Sequence, residues 1–154
     1  MIEAVETIEQ PKRSLGTRIA IRLVKLLLYV VFVGAAVYYT PKILSQALHT
    51  DYPMATITSG SMWPALKTND LIFMKGVSGS EVELGQIIIY QNSRGFTIHR
   101  LVEKKDGKLI TKGDANSSKD NPITEDQVIG RAVYIGDSPL RIPFVGVIAR
   151  TFKP

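Results

Sequence analysis

The sequence predicts an all-β domain preceded by one N-terminal membrane-spanning α-helix. One long apolar run lies near the start of the chain, and short apolar runs separated by Gly, Asn, Asp and Ser follow Pro41. Beyond Pro41, helical spacing is limited to a turn or two at 41–49. A chain of 154 residues has room for one compact domain and an anchor.

The apolar run covers residues 19–39 and would be about 30 Å long as a helix, enough to cross the hydrocarbon core of a bilayer. Arg22 and Lys25 interrupt only its first turns, where long cationic side chains reach the headgroup region. Two tyrosines close the other end, as an aromatic belt does. The run therefore has the length and the flanks of a transmembrane segment.

A cleaved secretory signal and an amphipathic surface helix are the alternatives to an anchor. Small residues at 34–36 resemble a cleavage site, but the apolar run continues through Val37, which favours an uncleaved anchor. The positive-inside rule places the N-terminus in the cytoplasm. We predict a cytoplasmic tail at 1–17, a transmembrane anchor at 18–40 and an extracytoplasmic β-rich domain at 41–154.

Composition narrows the class of protein. With 45% hydrophobic and 21% charged residues, the chain is not intrinsically disordered. The net charge of +5 includes a group of cations at the start of the apolar run, which points to a membrane surface rather than to nucleic acid: Lys12, Arg13, Arg18, Arg22 and Lys25. Cysteine is absent from the sequence, which excludes disulfides, a thiolate nucleophile and a cysteine-based zinc site.

Within the domain, six segments have the pattern of strands bounded by turn residues. They are Ala55–Thr58, Asp70–Gly76, Gln86–Gln91, Phe96–Glu103, Lys108–Lys112 and Val128–Ile135. The pair Asp106-Gly107 lies between two of them and predicts a β-hairpin.

The first candidate for chemistry is the stretch Thr58-Ser59-Gly60-Ser61-Met62-Trp63-Pro64, which follows a predicted strand. A glycine between two serines permits a sharp turn that presents a hydroxyl and a backbone N–H together. The same letters also describe an ordinary turn without any catalytic purpose.

The second candidate is His99, one of two histidines, which lies in a predicted strand. A neutral imidazole is a suitable general base near neutral pH, although a strand histidine is more often a packed or surface residue. His49 is the weaker candidate, because it follows the anchor closely; we assign it an interfacial role or none.

The third candidate is a Gly- and Asn-rich loop that carries two carboxylates, Asp114 and Asp120. Such loops form Asx-turns without catalysis. Calcium binding is a further alternative, but the ligand spacing of an EF-hand is absent from the sequence, and we predict no metal.

Together these segments resemble the ordered boxes of the type I signal peptidase family. The similar segments are Ser59-Gly60-Ser61-Met62-x-Pro64, Leu84-Gly85-Gln86-Ile87-Ile88, Ile98-His99-Arg100 and Lys112-Gly113-Asp114-x-Asn116, with Asp120 following. The resemblance covers roughly residues 54–146 and falls on the archaeal and endoplasmic-reticulum branch, in which histidine replaces the bacterial catalytic lysine. It implies the β fold that signal peptidases share with LexA-like repressors.

The resemblance implies a serine endopeptidase that needs no cofactor. Ser61 would be the nucleophile, His99 the base, Asp120 the acid that supports His99, and Asp114 a second important acid. Whether Asp114 or Asp120 contacts His99 stays open from the sequence. The resemblance also assigns oxyanion and substrate binding to Ser59, Ser61 and Met62.

The implied activity is removal of signal peptides from secretory preproteins after small residues in an Ala-x-Ala pattern, with the substrate extended along 54–58. The implied partners are signal peptides, the lipid bilayer and, as a further candidate, the Sec translocon; nucleic acid is not among them. The implied location is the cell membrane, or the endoplasmic reticulum in a eukaryotic source.

Two features depart from the family pattern. Gln86 stands where the box usually has an aspartate, which removes an acid at a strand start. Ile142–Ala149 is too short to form the second membrane span of many relatives; it would cap the barrel or lie in the interface.

Two other classes of protein fit parts of the sequence. A noncatalytic, membrane-tethered β domain could bind an envelope or translocon partner, in which case replacement of Ser61 would leave its function intact. An autoproteolytic regulator with a related fold would carry a DNA-binding region, but a membrane span occupies that place here.

Overall fold

The computed structural model describes residues 14–93 and 95–147. The chain divides into two units, Met1–Thr40 and Pro41–Pro154, which we describe separately. Most of the predicted cytoplasmic tail at 1–17 lies outside the described residues, as does the end of the apolar segment 142–149.

Helix α1 extends over Leu15–Leu48. In the part of the chain that the structure describes, it is the one helix long and apolar enough to cross a membrane. It passes through Pro41 and ends at Leu48, so the turn or two of helix expected at 41–49 is present as the continuation of the apolar helix. A proline inside a helix removes a single N–H, and the hydrogen bonds on either side of it remain possible.

A Schellman motif ends α1. The Thr50 amide donates to the Ser45 carbonyl (3.1 Å) and the His49 amide donates to the Gln46 carbonyl (3.4 Å). His49 has φ of 52°, the left-handed conformation that this motif requires at its position. The Leu48 carbonyl accepts from the Gly76 amide (2.8 Å), which joins the helix end to the β domain. His49 therefore has a role in the backbone of the helix end.

Among the residues that the structure describes, nine strands follow the helix, and all of them pair antiparallel. The main sheet has the order β1-β2-β6-β3-β4-β5, with β9 also on β2, and β7 pairs with β8. The strands are β1 Met54–Thr56, β2 Leu71–Lys75, β3 Ile87–Asn92, β4 Gly95–Lys105, β5 Lys108–Lys112, β6 Val128–Ala132, β7 Tyr134–Ile135, β8 Ser138–Pro139 and β9 Arg141–Ile142. The predicted fold class, a β domain after one long apolar helix, is confirmed.

Strand β3 separates two apolar clusters because successive side chains of a strand point to opposite faces. Ile87 packs with Ile57, Met62, Leu66, Ile72 and Ala132. Ile88 and Tyr90 pack with Val82, Leu101, Leu109 and Ile123. Burial on both faces explains why β3 is a continuous apolar run rather than an alternating one.

The predicted hairpin joins β4 to β5. Asp106 and Gly107 have φ of 50° and 70°, as a two-residue type I′ turn requires, and Lys105 pairs with Lys108 across it. Farther along, the ladder shifts register between Leu101 and Glu103. This bulge changes which residues of the two strands face each other.

The predicted strand 128–135 is interrupted at Val133, whose amide donates to the Phe73 carbonyl (2.9 Å). This bond continues the pairing of β6 with β2, whereas Tyr134 and Ile135 form β7 and pair with β8. Ile142 lies in β9 and pairs with Leu71, so the start of the apolar segment 142–149 extends the sheet.

We expect Leu66→Ala to lower the free energy of unfolding by about 2–5 kcal/mol, because it deletes a buried side chain and leaves a cavity. Leu66 has no exposed surface, whereas Leu84 is 61% exposed. Leu84→Ala is therefore the matched control, with an expected change below about 0.5 kcal/mol. Urea unfolding of the full chain in detergent measures both; equal losses would contradict the assigned core.

Candidate active site

Ser61 lies in the loop after β1, held at both ends. Upstream, the Ile57 amide donates to the Asp70 carbonyl (2.9 Å) and the Ile57 carbonyl accepts from the Asn69 amide (2.8 Å). Downstream, Met62 is 1% exposed and packs in the first apolar cluster. The anchored neighbours fix the backbone on which the Ser61 hydroxyl is presented.

His99 lies on β4, opposite Ile88 of β3, and its side chain is largely buried. Its Nε2 is 3.1 Å from the Ser61 Oγ and its Nδ1 is 2.6 Å from the Asp120 Oδ2. An ionised carboxylate only accepts hydrogen bonds, so Nδ1–H donates to Asp120. In the neutral imidazole Nε2 is then the acceptor, and the Ser61 hydroxyl donates to it.

Asp120 reaches His99 from the loop after β5. Its amide donates to the Thr111 carbonyl (2.8 Å), and its Oδ2 accepts from the Thr111 hydroxyl (2.6 Å). The structure thus brings Ser61, His99 and Asp120 into one hydrogen-bonded chain, and it is Asp120 rather than Asp114 that contacts His99.

Asp114 is bound by Arg100 instead. The Arg100 Nε and Nη2 donate to the two carboxylate oxygens at 2.8 and 2.6 Å, a bidentate pair, and Nη1 donates to the Gly85 carbonyl (2.6 Å). The hydrogen bonds that Arg100 donates to Asp114 raise the pKa of Arg100, whereas burial lowers it. Asp114 therefore attaches its loop to β4, next to His99.

The same loop binds the backbone of the serine. The Ala115 amide donates to the Ser61 carbonyl (2.8 Å). A Cβ at position 113 would lie 2.7 Å from that carbonyl oxygen and 2.7 Å from the Asn116 side chain, so only glycine fits at Gly113. The Gly-Asp-x-Asn box is a support for Ser61.

Ser59 and Ser61 present their hydroxyls together, with 3.1 Å between the oxygens. Because the Ser61 proton is directed to His99, Ser59 donates in this contact. Met62, predicted as a substrate-binding residue, has its side chain in the core and also borders the groove beside Ser61.

Gln86, which departs from the family pattern, completes a local turn. Its side chain accepts from the Glu83 amide (3.1 Å) and donates to the Glu83 carboxylate (3.3 Å). Neither contact includes Ser61, His99 or Asp120. The missing acid at this position leaves the geometry of the site intact.

A groove of about 840 Å³ leads to Ser61. One wall is β1 with the residues after it, and the other is the start of β4; Tyr52 and Phe96 line it together, with ring centroids 4.9 Å apart. The backbone groups of Pro53 and Ile57 form hydrogen bonds toward β2. Backbone groups of the alternate residues point the opposite way, so those of Met54, Thr56 and Thr58 face the groove.

A second cavity of about 630 Å³ borders His99 and Asp120 without reaching Ser61. Its lining is mostly polar and includes Tyr90, Asn92 and Lys119. Lys119 forms an ion pair with Glu103, and this pair lowers the pKa of Glu103.

Sequence reasoning left Arg100, Thr111 and Tyr90 without roles. The contact between Arg100 and Asp114 could have been predicted from their opposite charges and from the position of Arg100 next to His99. The contacts of Thr111 and Tyr90 depend on the register of β3, β4 and β5, which the bulge at 101–103 alters.

The arrangement has the parts that amide hydrolysis requires: a hydroxyl nucleophile, a base that accepts its proton, an acid that orients the base, and donors beside the nucleophile. The groove offers an extended peptide two strand edges.

Comparison with known proteins finds relatives among the catalytic subunits of signal peptidase complexes, while no family model matches the chain. The signal peptidase complex catalytic subunit SEC11 of Pyricularia oryzae is 36% identical over 115 residues, covering 68% of this chain and 66% of the relative. The sec11 subunit of Sclerotinia sclerotiorum is 37% identical with the same coverage. The sec11 subunit of Pyrenophora teres f. teres is 33% identical over 122 residues. The match thus spans 66% of the length of these relatives.

We expect the Arg100–Asp114 pair to contribute about 1–3 kcal/mol of coupling energy in a double-mutant cycle with Arg100→Met and Asp114→Asn, because the pair is bidentate and partly buried. The matched cycle uses Lys119→Met and Glu103→Gln at the exposed pair, where we expect a smaller coupling energy because solvent screens the two charges. Urea unfolding measures both cycles. Equal coupling in the two cycles would contradict the role assigned to Asp114.

Proposed function

Because the chain belongs to the type I signal peptidase family, in the branch of the SEC11 catalytic subunits, we propose that it is a membrane-anchored serine endopeptidase that removes signal peptides from secretory preproteins. The observation that carries this proposal is the chain of hydrogen bonds from Ser61 through His99 to Asp120. The chemistry uses side chains of this protein and no cofactor.

In the proposed mechanism, Ser61 Oγ attacks the carbonyl carbon of the scissile bond while His99 Nε2 takes the hydroxyl proton. His99 then gives this proton to the leaving amine, and the acyl group stays on Ser61 as an ester. Water, deprotonated by His99, hydrolyses the ester. Asp120 keeps the imidazole in the tautomer with Nδ1 protonated and stabilises the imidazolium.

The negative charge that develops on the carbonyl oxygen needs donors. We assign this role to the Ser61 backbone N–H and the Ser59 hydroxyl. The position of the Ser59 hydroxyl, 3.1 Å from the attacking oxygen, supports the assignment. When the Ser61 oxygen bonds to carbon, the Ser59 proton becomes available to the new oxyanion.

The substrate would lie in the groove as an extended strand. Within the described residues β1 ends the main sheet, and β4 pairs with β5 only from Arg100 onward, so the segment 96–99 also has an open edge. A peptide between these edges would bond to both and place alternate side chains against the groove. We propose small residues at the minus-one and minus-three positions.

Membrane anchoring fits this substrate. We place 1–17 in the cytoplasm, 18–40 in the bilayer and 41–154 on the opposite side, because the cations precede the apolar run. A signal peptide is itself a membrane-bound segment, so an enzyme anchored in the same bilayer meets it at a high effective concentration. As partners we propose secretory preproteins, the lipid bilayer and the Sec translocon; the membrane is that of the cell or the endoplasmic reticulum.

We expect Ser61→Ala and His99→Ala each to lower cleavage of a preprotein by about a thousandfold or more, because each removes one end of the proton-transfer pair. The double variant should be no slower than the slower single one, since the two residues act as a unit. The measurement is release of the mature protein by the full chain in liposomes.

Ser138→Ala and His49→Asn are the matched controls for this experiment. Ser138 lies in β8, and asparagine tolerates the left-handed backbone at position 49. Both should cleave at the wild-type rate. Wild-type cleavage by Ser61→Ala and His99→Ala would refute the proposed function.

We expect Ser59→Ala to lower kcat by about a hundredfold with little change in KM, because the donor acts on charge that appears only in the transition state. Steady-state kinetics with a preprotein in detergent separates the two parameters. A rise in KM alone would show that Ser59 binds substrate and does not stabilise the oxyanion.

A further inference from the structure

We propose that Thr111 is a positioning residue for the reaction, and that Tyr90 fixes the direction in which the Thr111 hydroxyl donates. The proposal rests on the proposed peptidase function and extends the chain Ser61–His99–Asp120 by two members. Neither added residue touches the reacting atoms.

Thr111 forms two hydrogen bonds with Asp120. Its hydroxyl lies 2.6 Å from the Asp120 Oδ2, the same oxygen that accepts from His99, and its carbonyl accepts from the Asp120 amide (2.8 Å). Thr111 has no exposed surface, whereas the Asp120 side chain is 24% exposed. A rigid strand residue thus restrains a carboxylate that belongs to a loop.

The direction in which each hydroxyl donates follows from the number of protons that the three groups have. The Thr111 oxygen also lies 3.3 Å from the Tyr90 hydroxyl, but one hydroxyl has one proton. An ionised carboxylate cannot donate, so the Thr111 proton belongs to Asp120, and Tyr90 must donate to the Thr111 oxygen. The bonds then run in one direction, from Tyr90 through Thr111 to Asp120.

Tyr90 is suited to the role of a permanent donor. Burial raises the pKa of its phenol, and the charge of Asp120 acts in the same direction. Tyr90 therefore keeps its proton at neutral pH. Successive hydrogen bonds of this kind polarise and strengthen one another.

The cations that neighbour His99 and Asp120 in sequence do not hold the Asp120 carboxylate. Arg100, next to His99 in sequence, is bound to Asp114, and Lys119, next to Asp120, is bound to Glu103. Asp120 is instead held by a neutral hydroxyl and by His99. A neutral donor orients the carboxylate without cancelling the charge that stabilises the imidazolium.

The test compares Thr111→Val, Thr111→Ser and Tyr90→Phe with the wild type in the full detergent-solubilised chain. We expect Thr111→Val, which keeps the shape and removes the hydroxyl, to lower kcat by about 10- to 100-fold with KM unchanged. Thr111→Ser keeps the hydroxyl and should restore kcat to near the wild-type value. Tyr90→Phe should lower kcat by about 2- to 10-fold.

Two further measurements separate positioning from folding. The proton NMR signal of the His99 Nδ1–H should move upfield in Thr111→Val and return in Thr111→Ser. Thr124→Val removes a hydroxyl that bonds to Gln127 on the surface and should leave kcat unchanged.

The outcomes distinguish this proposal from the proposed function. A wild type that fails to cleave refutes the function. If the wild type cleaves, either of two results refutes the positioning role alone. In the first, Thr111→Val is as fast as the wild type; in the second, Thr111→Ser is as slow as Thr111→Val. If Thr111→Val fails to fold, Tyr90→Phe decides: a reduced kcat supports the hydrogen-bonded chain, and an unchanged kcat overturns it.

Discussion

The hydrogen bond from the Ala115 amide to the Ser61 carbonyl is the contact on which the rest of the site depends. It ties the loop after β1, which carries Ser61, to the loop after β5, which continues to Asp120. Arg100 holds the second loop from β4 through Asp114, beside His99. Since three distant segments meet in this way, Ser61, His99 and Asp120 come within hydrogen-bonding distance only in the folded domain.

The site lies between the two apolar clusters, and the residues on the two sides of His99 have different roles. Ser61 belongs to the side of the groove, where its loop is anchored by Met62 in the first cluster. Asp120 and Thr111 lie on the other side of His99, with Tyr90 of the second cluster behind them. His99 connects a solvent-open groove to a largely buried chain of polar side chains, in which hydrogen bonds are stronger than in water.

The sequence was sufficient for the fold class, the six main strands and the hairpin at Asp106-Gly107, because alternation and turn residues are local signals. It could not decide between Asp114 and Asp120, since both lie in one loop and the choice depends on where Arg100 points. A bulge between Leu101 and Glu103 set the strand register beside Thr111, and no local pattern marks it. The end of the helix at Leu48 depends on the Schellman motif at His49 and on a bond to Gly76, which no local apolar pattern marks.

The most direct test of the account is to look for the covalent intermediate. A preprotein is mixed in excess with the full chain, the reaction is quenched with acid in its first turnover, and the protein is examined by mass spectrometry. The account predicts an adduct with the mass of the signal-peptide fragment, located on the peptide that contains Ser61 and absent from Ser61→Ala. Equal product release by the wild type and Ser61→Ala, with no adduct on Ser61, would contradict it.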